Sequence, residues 1–360
     1  MVGGCGHCCA ARSNPLCAAA LRRGGGKVTI AAMMTMHPFD SDPFHAGERA
    51  LQQRVGVRER LAEVAPLMVR DHMPAPHREL FGKLPFVLLG SVDADGQPHA
   101  SLLAAPPGFL RTPDAQTLAV DALPHPADPL AAALRVGASL GVLGVEPHTR
   151  RRNRMNGVVS MVHASGFEIG VRQSFGNCPK YIQAREARWA AAPMPGAARV
   201  VEADRLDAAG VALVAAADTF FIASSVRPQR LGRGLAEGVD VSHRGGKPGF
   251  VRVQHDASGN QVLVVPDFSG NNLFNTLGNL SVHPRAGLLF VDFDGGALVQ
   301  LSVDSRIVWQ GPDVEAFAGA QRVLRHRVRA MRRIEGALPL GWGPAQRSPF
   351  LQATGNWPAA

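Results

Sequence analysis

An internal repeat is the feature of this sequence that most restricts its fold. Residues 121–146 align without gaps on residues 267–292, at a constant offset of 146 positions, and two leucines and a glycine coincide within the two segments. The tripeptide Pro-Gly-Phe also occurs in both halves, at 107–109 and 248–250. Both halves read as strand, short helix and strand, which predicts two copies of one small, mostly antiparallel β domain. Chance is the alternative, because buried strands resemble one another in composition.

The length and composition are those of a globular protein with two domains. The chain has 360 residues, of which 46% are hydrophobic, and a domain typically holds about 100–200 residues. No uninterrupted apolar run approaches the roughly 20 residues of a membrane-spanning helix, so no membrane partner is expected. The formal charge of +9 comes mainly from arginine and indicates either a polyanionic partner or an arginine-biased genome.

The cysteines and the amino terminus indicate a reducing compartment and a leader. Four of the five cysteines lie in the first 17 residues and the fifth is Cys178, whereas a disulfide framework would be spread through the folded part. We therefore expect a cytoplasmic protein. Residues 5–9 lack a second ligand pair at a fixed spacing, so zinc is not expected there. Residues 1–43 are predicted to be a disordered leader, or a translation start placed too early, since three methionines lie within 33–36.

The order of helical and strand patterns predicts a mostly β fold with flanking helices, in the α+β class. A helical pattern covers residues 44–69, and an arginine-rich helix is predicted from Val314 to about Ile334. Asp/Gly turns separate the strands, and Asp128-Pro129 is predicted to begin a short helix with proline at its first position. The predicted strands are 86–92, 99–104, 117–120 and 139–145, then 220–223, 249–253, 262–265, 286–291, 298–303 and 306–309. The predicted domains are 44–190 (helix plus first barrel), 191–311 (second barrel) and 312–360 (arginine-rich helix and tail).

A basic, glycine-rich turn in the second half is the first candidate for a ligand site. It runs from Ser242 through Arg244, Gly245 and Gly246 to Lys247, between two predicted strands. Adjacent glycines let the backbone approach a ligand, and N–H groups with a hydroxyl and a guanidinium suit a phosphate. Taken alone, such a turn is more often a solvated basic loop.

A second polar segment favours a ligand over that simpler interpretation. Asn271, Asn272, Asn275 and Thr276 occur at the predicted start of a helix. Helix N-termini attract phosphate, and asparagine amides both donate to and accept from the edge of a heteroaromatic ring. A single asparagine would more often be a helix cap, but several after a basic turn indicate a binding site.

The first half carries a different polar set. His125 and Asp128 stand where the second half has asparagines, and four arginines lie within 150–154. These arginines predict a clamp for a ligand anion or interdomain salt bridges, because no aromatic stacking partners for nucleic acid are interleaved with them. Downstream, Ser174 and Lys180 are predicted to contact a phosphate or cofactor. The cysteine between them is more readily a packing residue than a nucleophile.

Five segments together resemble a known family. They are the Asp-x-Asp-Gly-x-Pro-His hairpin at 92–101 and the segments 149–157, 174–183, 238–250 and 270–285. The hairpin is generic, whereas Phe-Gly-Asn-Cys-Pro-Lys and the asparagine-rich motif are specific. The chain resembles, over about residues 44–335, the pyridoxamine 5′-phosphate oxidase-like, FMN-binding split β-barrel superfamily. The resemblance is closest to its tandem-barrel subgroup of predicted flavin-nucleotide-binding proteins.

The resemblance implies two tandem six-stranded split barrels with FMN held noncovalently between them, at an interface that a homodimer forms in single-barrel relatives. The phosphate contacts that it implies are Ser242, Arg244, Asn271, Asn275 and Thr276, with Lys180 as a further contact. Asparagines replace the Ser/Lys pattern of true pyridoxamine phosphate oxidases, so oxidation of vitamin B6 is not implied. Deazaflavin and haem, which relatives also use, are alternative cofactors.

The expected function is that of an FMN-dependent oxidoreductase acting on an unidentified small-molecule substrate, because the flavin would carry the electrons while the protein positions it. The alternative is a non-catalytic flavin or haem carrier, or a partner subunit of a separate reductase. A separate reductase or electron donor, and a homodimer, remain open as partners. Nucleic acid is not an expected partner.

Overall fold

The computed structural model describes residues 42–190, 198–336 and 338–358. The four amino-terminal cysteines and all but the end of the predicted leader lie outside the described residues. The single helical stretch predicted at 44–69 is two helices, α1 (Ala46–Arg54) and α2 (Arg58–Met68). Gly56 between them has a φ of 71°, a conformation that commonly ends a helix at glycine.

The other helices of the described residues are short. Their bounds are α3 (Ala75–Lys83), α4 (Pro129–Ala133), α5 (Ala208–Ala216), α6 (Asn275–Val282) and α7 (Pro312–Glu315). Helix α4 begins where the sequence predicts it, with Pro129 as its first residue. The Asp128 carboxylate caps it by accepting a hydrogen bond from the Leu130 N–H at 2.9 Å.

Strands make up most of both halves. Those of the first half are β1 (Phe86–Val92), β2 (Pro98–Ala104), β3 (Leu110–Arg111), β4 (Thr117–Val120), β5 (Ser139–Glu146), β6 (Arg151–His163), β7 (Gly166–Gly176) and β8 (Ala187–Trp189). Those of the second half are β9 (Arg199–Ala203), β10 (Thr219–Ser225), β11 (Val239–Gly245), β12 (Arg252–His255), β13 (Gln261–Asp267), β14 (Arg285–Val291), β15 (Leu298–Val308), β16 (Arg322–Glu335) and β17 (Leu340–Trp342). The prediction of a mostly antiparallel β protein with a few helices is confirmed.

The two large sheets have the same strand order. The first runs β2-β1-β5-β6-β7-β4-β3, and the second runs β11-β10-β14-β15-β16-β13-β12. The offset of 146 residues is kept in the ladders, because Leu143 lies opposite Arg154 in the first sheet and Leu289 lies opposite Gln300 in the second. Positions of the two halves can therefore be matched residue by residue.

Each half has its own hydrophobic core, and a third core joins the two. Alternation along β1 sends Val87 and Leu89 into the first-half core and Phe86 and Leu88 into the joining core, where they meet residues of β10, β11 and β14. The two glycines that the 146-residue offset aligns, Gly141 and Gly287, have a physical reason in this packing. A Cβ on Gly141 would lie 2.6 Å from the Val239 carbonyl oxygen, and one on Gly287 would lie 2.5 Å from that of Pro98.

The prediction of an arginine-rich helix at 314–334 is wrong, because most of this segment is strand β16. Its apolar residues fit a helical spacing only because the ladder with β15 contains a bulge, where Ser302 pairs with Ala330 and Val303 with Val328. The extra residue, Arg329, lets Val328 and Met331 face the same core. The strands predicted separately at 298–303 and 306–309 are likewise one continuous strand, β15.

The arginines of β16 pair with carboxylates on neighbouring elements rather than forming a free cationic surface. Asp304 contacts Arg327 and Arg329, and Asp313 contacts Arg325. Glu202 and Asp207 pair with Arg332 and Arg333. No helix within the described ranges is long and apolar enough to cross a membrane.

Candidate functional site

A cavity of about 130 Å³ lies at the end of the second sheet. Strand β11 contributes one wall, the start of α6 a second, and the loop at 177–181 a third. Strand β6 of the first half reaches the same space with Arg152 and Arg154, and β16 reaches it with Arg322. The site is thus built from both halves of the chain.

Eight of the ten residues that the sequence singled out line this cavity. They are Lys180, Ser242, Arg244, Gly245, Asn271, Asn272, Asn275 and Thr276. The other two do not belong to it. Ser174 is fully buried under α3, where its hydroxyl lies 2.9 Å from Nδ1 of His77, and Gly246 packs against the Phe250 ring.

The two adjacent glycines serve packing between parts of the chain. A Cβ on Gly245 would lie 2.0 Å from the Tyr181 carbonyl oxygen, and one on Gly246 would lie 2.3 Å from the Phe250 ring. Their small size therefore seats the 177–181 loop and an aromatic ring against β11. Gly245 also lines the cavity, whereas Gly246 does not.

Positive charge dominates the cavity. Four arginines and Lys180 line it, and Asp267 is the lining carboxylate within the described residues. Asp267 is shared, since it contacts Arg244 and lies 3.4 Å from Arg322. Arg152 donates instead to the backbone carbonyl of Cys178 at 2.9 Å. The charge of these groups therefore exceeds that of the carboxylate they surround.

Three of these arginines also have unsatisfied donors. A buried guanidinium nitrogen of Arg154, of Arg244 and of Arg322 finds no hydrogen-bond partner among the described residues. Burial, reinforced by the charge of Arg154, lowers the pKa of Arg152 to about 9, and burial lowers the pKa values of Arg154 and Arg322 as well. Cations held in this way are stabilised by an anion placed among them.

The start of α6 adds backbone donors to the cavity. Phe274 occupies the N-cap position and provides no side-chain cap, so the first N–H groups of α6 have no capping partner from this residue. Phe274 and Asn272 have φ values of 65° and 59°, and Tyr181 on the facing loop has a φ of 63°. Left-handed backbone is uncommon in residues other than glycine and collects at functional sites.

The predicted polar residues of the cavity are joined to one another. The hydroxyls of Ser242 and Thr276 lie 2.8 Å apart. The Asn271 amide donates to Asn177 at 2.9 Å and caps the Leu273 N–H at 3.2 Å. Asn271 therefore spends part of its hydrogen-bonding capacity on the loop itself.

A buried polar network behind the cavity positions Arg154. Its guanidinium donates to the Asn275 side chain at 2.9 Å and lies 3.6 Å from the Asp240 carboxylate. Asn275 in turn donates to Glu48 of α1 at 2.6 Å. Burial and the nearby Asp240 raise the pKa of Glu48 well above its ordinary value. Through this chain of contacts α1 and α6 hold Arg154 in place.

Sequence reasoning placed Arg152 and Arg154 in an anion clamp or in salt bridges, and it missed Arg322 and Tyr181. Arg322 was hidden because its segment was interpreted as a helix apart from the site. The aromatic wall of Tyr181 and Phe268, whose rings lie 5.1 Å apart, had no local signal. Lys180 lies at the rim, with its ammonium 5.4 Å from the Phe350 ring centre.

Comparison with known proteins gives a weak likeness of fold. No family model matches the chain, and no curated protein matches it. Among solved structures, the chain is similar to Group A Streptococcus HupZ at 11% identity, over 34% of this chain and 89% of that chain, with a TM-score of 0.25. It is also similar to the Bacillus subtilis inhibitor of motility MotI/DgrA, at 11% identity over 69% and 88% of the two chains and a TM-score of 0.19. The K. pneumonia MrkH–c-di-GMP complex matches at 7% identity over 69% and 78%, with a TM-score of 0.19.

Proposed function

We propose that this chain is a flavin-dependent oxidoreductase that holds FMN noncovalently in the arginine-lined cavity. In this proposal the two sheets are tandem split barrels, products of an internal duplication, and the ligand lies between them. The common strand order and the preserved offset of 146 residues support the duplication. Strand β6 of the first half contributes side chains to a cavity of the second half, which supports a ligand bound by both halves.

One observation carries the assignment of a phosphorylated ligand. Arg154, Arg244 and Arg322 line one cavity, and each has a buried nitrogen without a partner among the described residues. A phosphate dianion presents oxygens that accept from several guanidinium groups at once. The residues present therefore fit the phosphate of FMN.

The chain's own residues would divide the work of binding. Arg154 and Arg244, with the Ser242 hydroxyl, would hold the phosphate, and the N–H groups at the start of α6 would add to them. Tyr181 and Phe268 offer apolar surface, while the amides of the asparagines donate and accept hydrogen bonds. When bound, the flavin supplies the capacity to accept and donate electrons. The substrate would be a small molecule, with electrons delivered to it or taken from it through the flavin.

Binding of FMN is tested by titrating the purified protein and following flavin fluorescence and absorbance. Riboflavin, which lacks the phosphate, should bind far more weakly than FMN. Arg244→Ala should weaken FMN binding by about 10–100-fold, because a hydrogen bond to a charged group contributes about 1.5–3 kcal/mol. Arg325→Ala is the matched control, since Arg325 pairs with Asp313 outside the cavity. Equal affinity for FMN and riboflavin, or no binding of either, would overturn the proposal.

A non-catalytic flavin carrier is the second candidate, and the lining of the cavity favours it in one respect. Nine of the sixteen polar side chains that line it are arginines or amides, which bind ligands but do not exchange protons near neutral pH, and burial holds the pKa of the lining His243 well below its ordinary value. A carrier would keep bound FMN without turnover by NAD(P)H or oxygen, whereas an oxidoreductase would reduce or reoxidise it. The absorbance of any copurifying cofactor would separate FMN from deazaflavin and from haem.

A further inference from the structure

The first half contains a position equivalent to the anion-binding end of the cavity. The ladders place Ser101 opposite Leu89, as Ser242 lies opposite Ile222, and both partners pair onward with the equivalent strands β5 and β14. The side chain of Gln300, on β15 of the second half, reaches this first-half position. In the same way, the side chain of Arg154, on β6 of the first half, reaches the second-half position. The N-cap residues of α4 and α6, Asp128 and Phe274, also differ by 146 positions.

In the first half this position is filled by a carboxylate. Asp128 is 4% exposed and accepts from the Leu130 N–H and the Gln300 side-chain amide, each at 2.9 Å, and from the Ser101 hydroxyl. Three donors converging on two oxygens are the surroundings of an ionised carboxyl group or of a phosphate. Burial raises the pKa of Asp128, and these three hydrogen bonds oppose that rise.

The second half presents the matching donors without the carboxylate. Ser242 stands for Ser101, and the backbone of Thr276 stands for that of Leu130. Phe274 takes the N-cap position of Asp128, with a left-handed backbone (φ 65°) where Asp128 is extended (φ −76°). Charge has been added at the same time. By strand register, Arg244, Arg152 and Arg154 of the second-half site correspond to Leu103, Leu298 and Gln300 of the first-half site.

We propose that only one of the two equivalent sites takes a ligand, because in the other the Asp128 carboxylate occupies the place of the anion and two leucines stand where the ligand site has arginines. The ligand's phosphate then lies where Asp128 would fall in the second half, among the Ser242 hydroxyl, the Thr276 N–H and the Arg154 guanidinium. One chain binds one equivalent. The inference rests on the proposed function in taking the arginine-lined cavity as a phosphate site.

The stoichiometry is measured on the full chain by calorimetric titration with FMN and, separately, with inorganic pyrophosphate. One equivalent of FMN per chain is expected, and two equivalents would overturn the inference while leaving FMN binding intact. One equivalent of pyrophosphate without any binding of FMN would overturn the proposed function and retain the anion site. If neither FMN nor pyrophosphate binds, the inference and the proposed function are both overturned.

Phe274→Asp and Phe274→Asn form a matched pair that tests the location of the anion. Both lose the same ring contacts, and both side chains tolerate the left-handed backbone at this position. They have the same size, and they differ in that the aspartate carries a negative charge where the asparagine carries a neutral NH2 donor. The aspartate variant should bind FMN and pyrophosphate on the order of 100-fold more weakly than the asparagine variant, because it places like charge beside the phosphate. Equal affinities in the two variants would refute the location.

Asp128→Asn provides a check that does not depend on Phe274. The first-half site has leucines in place of two of the arginines, so removal of its carboxylate charge should leave the stoichiometry at one. A second equivalent in this variant would show that the two sites differ only in Asp128, and would overturn the assigned role of the arginines.

Discussion

His326 provides a test of the strand assignment of β16. The residue is fully buried, its Nδ1 lies 2.8 Å from the Ser305 hydroxyl, and its Nε2 has no partner among the described residues. Burial, reinforced by the charge of Arg244, lowers the pKa of His326 to about 3. A helix on the surface would have left this histidine in water.

The stability effect follows from the difference between the folded and unfolded pKa values. In the unfolded chain a histidine has a pKa of about 6.5. Between about pH 6.5 and pH 3 the unfolded chain binds a proton that the folded chain does not, so stability is lost as the pH falls through this window. At pH 5 the loss is about 2 kcal/mol relative to pH 8, because each pH unit below the unfolded pKa costs about 1.4 kcal/mol.

The assay is urea unfolding at pH 8 and at pH 5 for the wild type, His326→Asn and a control, His255→Asn, in which an exposed histidine is replaced. Between pH 8 and pH 5, the free energy of unfolding of the wild type and of the control should fall by about 2 kcal/mol more than that of His326→Asn. Comparing the change with pH cancels any destabilisation that the substitution itself causes. The same loss in all three proteins would refute the burial of His326 and the placement of β16 that produces it.

Two further variants test the packing and charge of the cavity. Gly245→Ala should weaken FMN binding and destabilise the fold by about 1–3 kcal/mol, because its Cβ meets the Tyr181 carbonyl; urea unfolding and flavin titration measure both effects. Gly176→Ala, which has no atom within 4 Å of the added carbon, should match the wild type, and equal behaviour of the two variants would exclude the close contact. Asp267→Asn should destabilise the free protein by about 3–5 kcal/mol, since it leaves two arginines without their counter-ion. In thermal unfolding, added FMN should restore part of that loss. A variant that melts at the wild-type temperature would contradict the ion pair that Asp267 shares between the two arginines.

Much of the fold could be predicted because the signals are local. A short, nearly continuous apolar run predicts β1, and Asp and Gly predict the turn after it. The Asp128-Pro129 pair predicts the start of α4. Each of these depends on the preferences of neighbouring residues, so a single sequence is sufficient to identify them.

The failures have a common physical origin in contacts between distant residues. In β16 a bulge shifts the alternation by one residue, and the resulting spacing is also that of a helix. Ser174 is polar and lies on β7, the strand after β6 with its arginines. Helix α3 nevertheless covers it and places His77 beside it. Neither outcome is encoded in the neighbouring residues, because the partner strand or helix decides which face is buried.

By itself the sequence predicted a mostly β fold in two units of similar pattern, and it showed that polar, basic residues gather in two segments of the second half. Only the tertiary structure decided what those segments do together. It brought Arg154 of the first unit and Arg322 of β16 to the same cavity as Ser242, and it closed the equivalent first-half position with Asp128. The reason is that charge balance in a buried site depends on which distant side chains meet there, and the strand pairings alone settle that.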